Sequence, residues 1–242
     1  MRAIRRRASA AREASNGAEF ARRFREAAGF DLRILSGAEE ADLVFFGAMG
    51  DLREPPRSGE AVVMNSGGGS AEWARGTAKR VTRRASLPLG CVRMTERFLR
   101  GDPYTKASLR RIEEFYEDAL ALVAREFSPG KASFLGSGGS LCAIAAIAAG
   151  EARFRAEAVH GRTLTRGEVE AVAERLARMT AAERRRIPSL PRQRADIVTA
   201  GALLFAAAMR ALNAERIVVS VRGLRYGVLR EALGSTTRTR RR

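Results

Sequence analysis

A chain of 242 residues that is 45% hydrophobic and 29% charged has globular composition, which excludes wholesale disorder and leaves room for one large or two modest domains. A formal charge of +17 makes polyanions the expected partners, although abundant arginine and alanine also read as a bias of coding composition. Cys91 and Cys142 lack metal-ligand spacing, the apolar runs are too short to span a bilayer and the basic start lacks a secretory core, so a reducing, cytoplasmic setting is expected.

Residues 16–28 place Phe20, Phe24 and Ala28 at fourfold spacing and stop at Gly29, which predicts an amphipathic helix. Residues 31–35 alternate as a strand, and Ser36 with Glu39 has the spacing of a capping box opening a helix to about Ala48. Pro55, Pro56, Ser58 and Gly59 predict a linker over residues 51–60. Residues 61–72, AVVMNSGGGSAE, then run from an apolar strand into three glycines, where missing Cβ atoms let backbone N–H groups approach a bulky anion. An outgoing strand, with Trp73 as a core residue, and an extended stretch over 77–87 complete a meander. Leu109, Ile112, Phe115, Tyr116, Ala119, Leu122, Val123 and Phe127 stripe a long helix over 108–127. Residues 131–135 predict a strand feeding a second glycine turn, GSGGS at 136–140, with a helix from about Leu141. Thr165 with Glu168 and Thr180 with Glu183 are further capping boxes. Residues 194–212 read as a buried helix, followed by a strand over 216–220 and a last helix after Gly227. Strands alternating with helices, with glycine turns at strand ends, give an α/β class whose ligands sit at those turns.

The ordered segments ASAAREASNG, LSGAEEA, VVMNSGGGSAE, SLPLGCVRMTE, FLGSGGS, AVHGRTLTRGEVE and RIVVSVRGLRYGVL make residues 8–233 resemble the exopolyphosphatase and guanosine pentaphosphate phosphohydrolase family, Ppx/GppA. That resemblance implies the actin-like (ASKHA, ribonuclease H-like) fold of two lobes around a phosphate-binding cleft. It places a remnant of the first lobe at 1–50, a linker at 51–60, a nearly complete second lobe at 61–235 and a basic tail at 236–242. The family's opening Asp-x-Gly-Ser-Asn phosphate loop has no counterpart, which implies a displaced start or an impaired enzyme.

Carried over residue by residue, the resemblance makes Glu40 the general base that deprotonates a water; the pattern alone favours a solvated helix carboxylate at Glu40, and Glu39 is the cap. Gly67, Gly68, Gly69 and Ser70 become the first phosphate turn, and Gly136, Gly138, Gly139 and Ser140 the second, at a helix start whose dipole favours an anion. Glu72 becomes a magnesium or manganese site, weakened because Asn65 stands where the family has an aspartate; Val221 replaces another. Arg12 is expected to clamp substrate phosphate, Asn16 to cap a helix, His160 to be a hydrogen-bonded turn histidine, and Arg222 to Leu224 with Gly227 to close the cleft.

The implied activity is release of terminal phosphate from inorganic polyphosphate, or of the 5′ phosphate of guanosine pentaphosphate, by magnesium-assisted attack of water. The alternative is a polyphosphate- or alarmone-binding protein (guanosine penta- or tetraphosphate) with impaired catalysis. Neither a membrane nor a specific nucleic acid is an expected partner, since 6% aromatic content and no ordered nucleic-acid motif argue against base stacking. A homodimer is one assembly the resemblance allows.

Overall fold

The computed structural model describes residues 5–7, 15–50, 52 and 59–239. Strand β1 (Arg5–Arg7) pairs in parallel with β2 (Leu32–Ile34), and α1 (Gly17–Ala28) lies between them in the chain. Gly29 ends α1 at φ 72°, donating its N–H to the Arg25 carbonyl, so the predicted glycine stop is a left-handed cap. Helix α2 (Gly37–Met49) begins on the predicted capping box: Ser36 Oγ accepts the Glu39 N–H, and the Glu39 carboxylate accepts from Ser36 N–H at 2.9 Å.

Next come β3 (Glu60–Ser66), β4 (Ala71–Thr77) and β5 (Val81–Leu87), an antiparallel meander as predicted. They are followed by α3 (Cys91–Phe98), α4 (Lys106–Phe127), β6 (Ser133–Ser137), α5 (Gly139–Ala148), α6 (Ala156–Val159), β7 (Thr163–Thr165), α7 (Arg166–Arg178) and α8 (Ala181–Arg184). A 3-10 turn at Arg192–Arg194 leads into α9 (Val198–Ala211), β8 (Arg216–Ser220) and α10 (Leu224–Thr239). The six-stranded sheet has the order β5-β4-β3-β6-β8-β7, with β3, β6 and β8 mutually parallel.

Residues 61–64 are apolar throughout because β3 is central and buried on both faces. Alternate side chains divide the core. Val62, Met64, Trp73 and Phe134 face the larger layer of α3, α4, α5, α7 and α9. Ala61, Val63, Ala74 and Leu135 face Ala41, Val44, Phe45 and Ala48 of α2. Helix α9 packs against α3, α4, α5 and α7 at once, which explains why its apolar residues run round every side. No helix among the described residues is long and apolar enough to cross a membrane.

Two boundaries differ from the sequence reading. The buried helix starts at Val198, because Arg192–Arg194 form the 3-10 turn. The last helix starts at Leu224 and runs through Gly227, which is a crossing point within the helix and not the turn before it. A methyl carbon on Gly227 would stand 1.8 Å from the Leu43 carbonyl oxygen, and one on Gly47 would stand 2.2 Å from that of Gly223. Helices α2 and α10 therefore touch backbone to backbone. Helix α3 and strand β7 were not among the predicted elements, although Cys91, Met94 and Phe98 stand at the helical spacing that α3 buries.

Candidate functional site

The first glycine turn joins β3 to β4 and is closed by the Gly67 N–H on the Ser70 carbonyl at 2.9 Å. Its carbonyls are held by the start of α3. Cys91 N–H donates to Gly67 at 2.9 Å, Val92 and Arg93 N–H donate to Gly68 at 3.0 and 3.2 Å, and Gly90 N–H and Arg93 Nε donate to Gly69 at 3.3 and 3.0 Å. In a planar trans peptide the next N–H points opposite the carbonyl. The amides of Gly68, Gly69 and Ser70 consequently face away from α3, as an anion cradle requires. Gly90 allows this approach, since a methyl carbon there would lie 2.3 Å from Gly68.

The second turn leaves β6 beside the first. Asn65 pairs with Ser137 across the parallel strands, and Ser137 Oγ donates to Asn65 Oδ1 at 3.0 Å. Gly138 adopts φ +100°, and a methyl carbon there would stand 2.5 Å from the Ser66 carbonyl oxygen, so only glycine lets the two turns meet. Asn65 Nδ2 donates to Glu72 Oε2 at 2.8 Å, while Ser70 Oγ and Ser86 Oγ donate to Glu72 Oε1. Strand alternation puts Asn65, Glu72, Ser86 and Ser137 on the face covered by α2.

Glu40 lies on that same side. It is 4% exposed, on the buried stripe with Ala41, Val44 and Phe45, so the solvated-carboxylate alternative does not describe it. Glu39 faces outward in the capping box, whose backbone and hydroxyl donors at Ser36 hold its carboxyl below the usual range. Arg12 lies outside the described residues.

The remaining residues of the second turn divide. Gly138 and Gly139 line a cavity of about 400 Å³ with Asn65, Arg194, Gly223 and Arg225. Gly136 and Ser140 do not reach it. Gly136 sits inside β6, where a methyl carbon would be 2.2 Å from Leu141 Cδ2 and 2.7 Å from Ile217 Cδ1, so its role is to admit packed neighbours. Ser140 is 1% exposed and wedged against Gly201 and Cys91. Ser70 brings its amide to the cradle, its hydroxyl being engaged by Glu72. His160 accepts the Val221 N–H on Nδ1 at 3.4 Å, a turn histidine as expected. A further cavity of about 410 Å³ between α2 and α10, lined by Asp42, Phe46 and Arg230, contains none of the glycine turns.

Sequence reasoning missed Arg194. Its guanidinium carbon would stand 2.0 Å from a methyl carbon on Gly139, so it rests on the first residue of α5. A cation over a helix N-terminus faces another positive end, and an anion between them satisfies both. Among 44 Lys and Arg residues no local signal marked it. Gly139→Ala is expected to push Arg194 aside and weaken tripolyphosphate binding about tenfold without lowering thermal stability, as titration calorimetry and a melting curve would show.

Among the described residues no cluster of three or more His, Cys, Asp or Glu side chains is placed to hold a metal ion. Glu72 is the one carboxylate in the polar row, and three donors already occupy its oxygens. One carboxylate engaged in this way does not make an all-protein cage; Glu72 and Asn65 are the side chains that would face a magnesium ion held mainly by a phosphate substrate.

A six-stranded sheet with paired glycine turns at its parallel strand ends, crossed on one face by two touching helices, places the chain in the actin-like class. The Ppx/GppA phosphatase family model matches residues 8–236, and the chain belongs to that family. Exopolyphosphatase 2 of Mycobacterium tuberculosis is 32% identical over 184 residues, covering 74% of this chain and 56% of the relative. The chain thus spans little more than half of that protein's length. Exopolyphosphatase 1 of Mycobacterium leprae is 29% identical over 232 residues, covering 94% of this chain and 67% of the relative. The crystal structure of the Aquifex aeolicus family member superposes with a TM-score of 0.84 at 29% identity, covering 97% of this chain and 74% of that one.

Proposed function

We propose that the protein is a phosphohydrolase that releases the terminal phosphate of inorganic polyphosphate. The supporting observation is the meeting of the two glycine turns at the ends of β3 and β6, on a sheet covered on one face by α2, the helix that carries the buried Glu40. The amides of Gly68, Gly69 and Ser70 bind oxygens of the terminal phosphoryl group, while Gly139 at the α5 N-terminus and Arg194 hold the next phosphate. Glu40 takes a proton from a water aligned with the scissile bond. The water oxygen then bonds to phosphorus, the bridging P–O bond breaks, and its electron pair leaves on the shortened chain. Magnesium, when bound, offsets phosphate charge, with Glu72 and Asn65 as its protein side.

The test is phosphate release from long-chain polyphosphate with magnesium, compared with guanosine pentaphosphate. Because the molecule carries +17, the KM for polyphosphate is expected to rise roughly tenfold between low and about 0.5 M salt, with kcat little changed. A salt-independent KM would remove the electrostatic capture of substrate.

One observation favours a binding protein instead. Asn65 donates an N–H to Glu72, so the polar row holds one negative charge where the family pattern places two. Tripolyphosphate binding without phosphate release, in magnesium or manganese, would establish that reading.

A further inference from the structure

Arg184 is 1% exposed and forms no ion pair among the described residues; its guanidinium is satisfied by backbone carbonyls and the Tyr104 hydroxyl. Leaving an unpaired charge inside a protein is costly, so a buried arginine bound in this way marks a place where geometry is held firmly. Nη1 donates to the Leu176 and Met179 carbonyls, the unsatisfied end of α7, where the helix dipole favours a cation. Nε donates to the Ala195 carbonyl at 2.8 Å. Nη2 donates to Tyr104 Oη at 3.0 Å, with the guanidinium stacked 4.5 Å from the ring centre, and Tyr104 Oη in turn donates to the Asp196 carbonyl at 3.1 Å. Two successive carbonyls, Ala195 and Asp196, are therefore gripped immediately after Arg194. From the other direction Ile197 N–H donates to the Arg194 carbonyl at 3.1 Å. The peptide planes around Arg194 are fixed, and with them the direction in which its side chain leaves the backbone towards Gly139.

We propose that Arg184 is a positioning residue: from inside the protein it sets Arg194 over the start of α5, and so controls phosphate affinity without touching substrate. This rests on Arg194 being the anion clamp. Lysine cannot replace Arg184, because one ammonium group cannot reach the end of α7, the Ala195 carbonyl and the Tyr104 hydroxyl from a single position.

The test is a double-mutant cycle read by calorimetric binding of tripolyphosphate to the full chain, with circular dichroism confirming the native fold of each variant. Arg194→Ala is expected to raise Kd about tenfold and Arg184→Met about fivefold. In the Arg194→Ala background, Arg184→Met should add less than about twofold, since its effect travels through the missing side chain. Arg184→Lys should resemble Arg184→Met. Tyr104→Phe, a milder change that keeps the ring and removes the bridge to Asp196, should raise Kd about twofold to threefold, and it decides the matter if Arg184→Met does not fold. An unchanged Kd in Arg194→Ala overturns the clamp reading itself. A raised Kd there, combined with normal binding in folded Arg184→Met or in Tyr104→Phe, overturns only the positioning role, as do fully additive effects.

Discussion

Glu40→Gln is expected to slow phosphate release from long-chain polyphosphate about a thousandfold while leaving tripolyphosphate affinity within about twofold, because a positioned general base contributes roughly two to four orders of magnitude. The amide has nearly the shape of the carboxylate but cannot accept the proton of the attacking water. Folding should be little affected: a buried carboxylate in the first turn of α2 gains from the helix dipole and loses by desolvation, and the substitution removes both. Glu39→Gln provides the contrast. Glutamine still fits the capping box at Ser36, so the substitution removes only a charge that the start of the helix favours, lowering stability slightly with kcat almost unchanged. Equal kcat for wild type and Glu40→Gln would remove Glu40 from the mechanism, whatever the stability data showed.

Trp73→Ala should lower stability by about 3–5 kcal/mol, a large part of the roughly 5–15 kcal/mol available to a folded domain. Trp73 is fully buried, lies parallel to Phe134 with ring centres 6.3 Å apart, and tilts against Phe127 at 6.1 Å. The cavity left behind would open between β4, β6 and α4, where large side chains cannot collapse without shifting the sheet. Trp73→Phe keeps most of the contacts and should lose less than half as much. Urea unfolding followed by circular dichroism is the suitable measurement, since Trp73 is the only tryptophan and its removal abolishes that fluorescence signal. A midpoint unchanged in Trp73→Ala would show that this part of the core is loosely packed.

Features that depend on a short run of adjacent residues were legible in the sequence. The apolar run before the first glycine turn, the three capping boxes and the long helix all became the elements they predicted, although Leu122 of the expected stripe is exposed and Leu120 is buried in its place. Features that depend on what arrives from elsewhere in the chain were not. Gly136 and Gly138 look alike in GSGGS, yet one makes room for Leu141 and Ile217 and the other lets two strands' ends meet. Gly227 reads as a turn glycine ahead of the last helix, but it lies inside that helix, where its missing Cβ admits the Leu43 carbonyl. Glu40 and Glu39 are neighbours on one helix, and only the packing of α2 on the sheet turns the first inward and leaves the second outside. Arg194 acquires its position from Arg184, Tyr104 and Gly139, which no sequence spacing connects.

The fixing of the first glycine turn by the start of α3 has a thermodynamic consequence. Glycine-rich segments are ordinarily supple, and a supple segment must surrender conformational freedom when it closes around a guest, an ordering penalty that weakens association. Here that freedom is already gone before any guest arrives, because folding itself has tied down each glycine carbonyl. Capture of a phosphoryl group then meets a rigid mould, and selectivity falls on groups whose oxygens match its spacing.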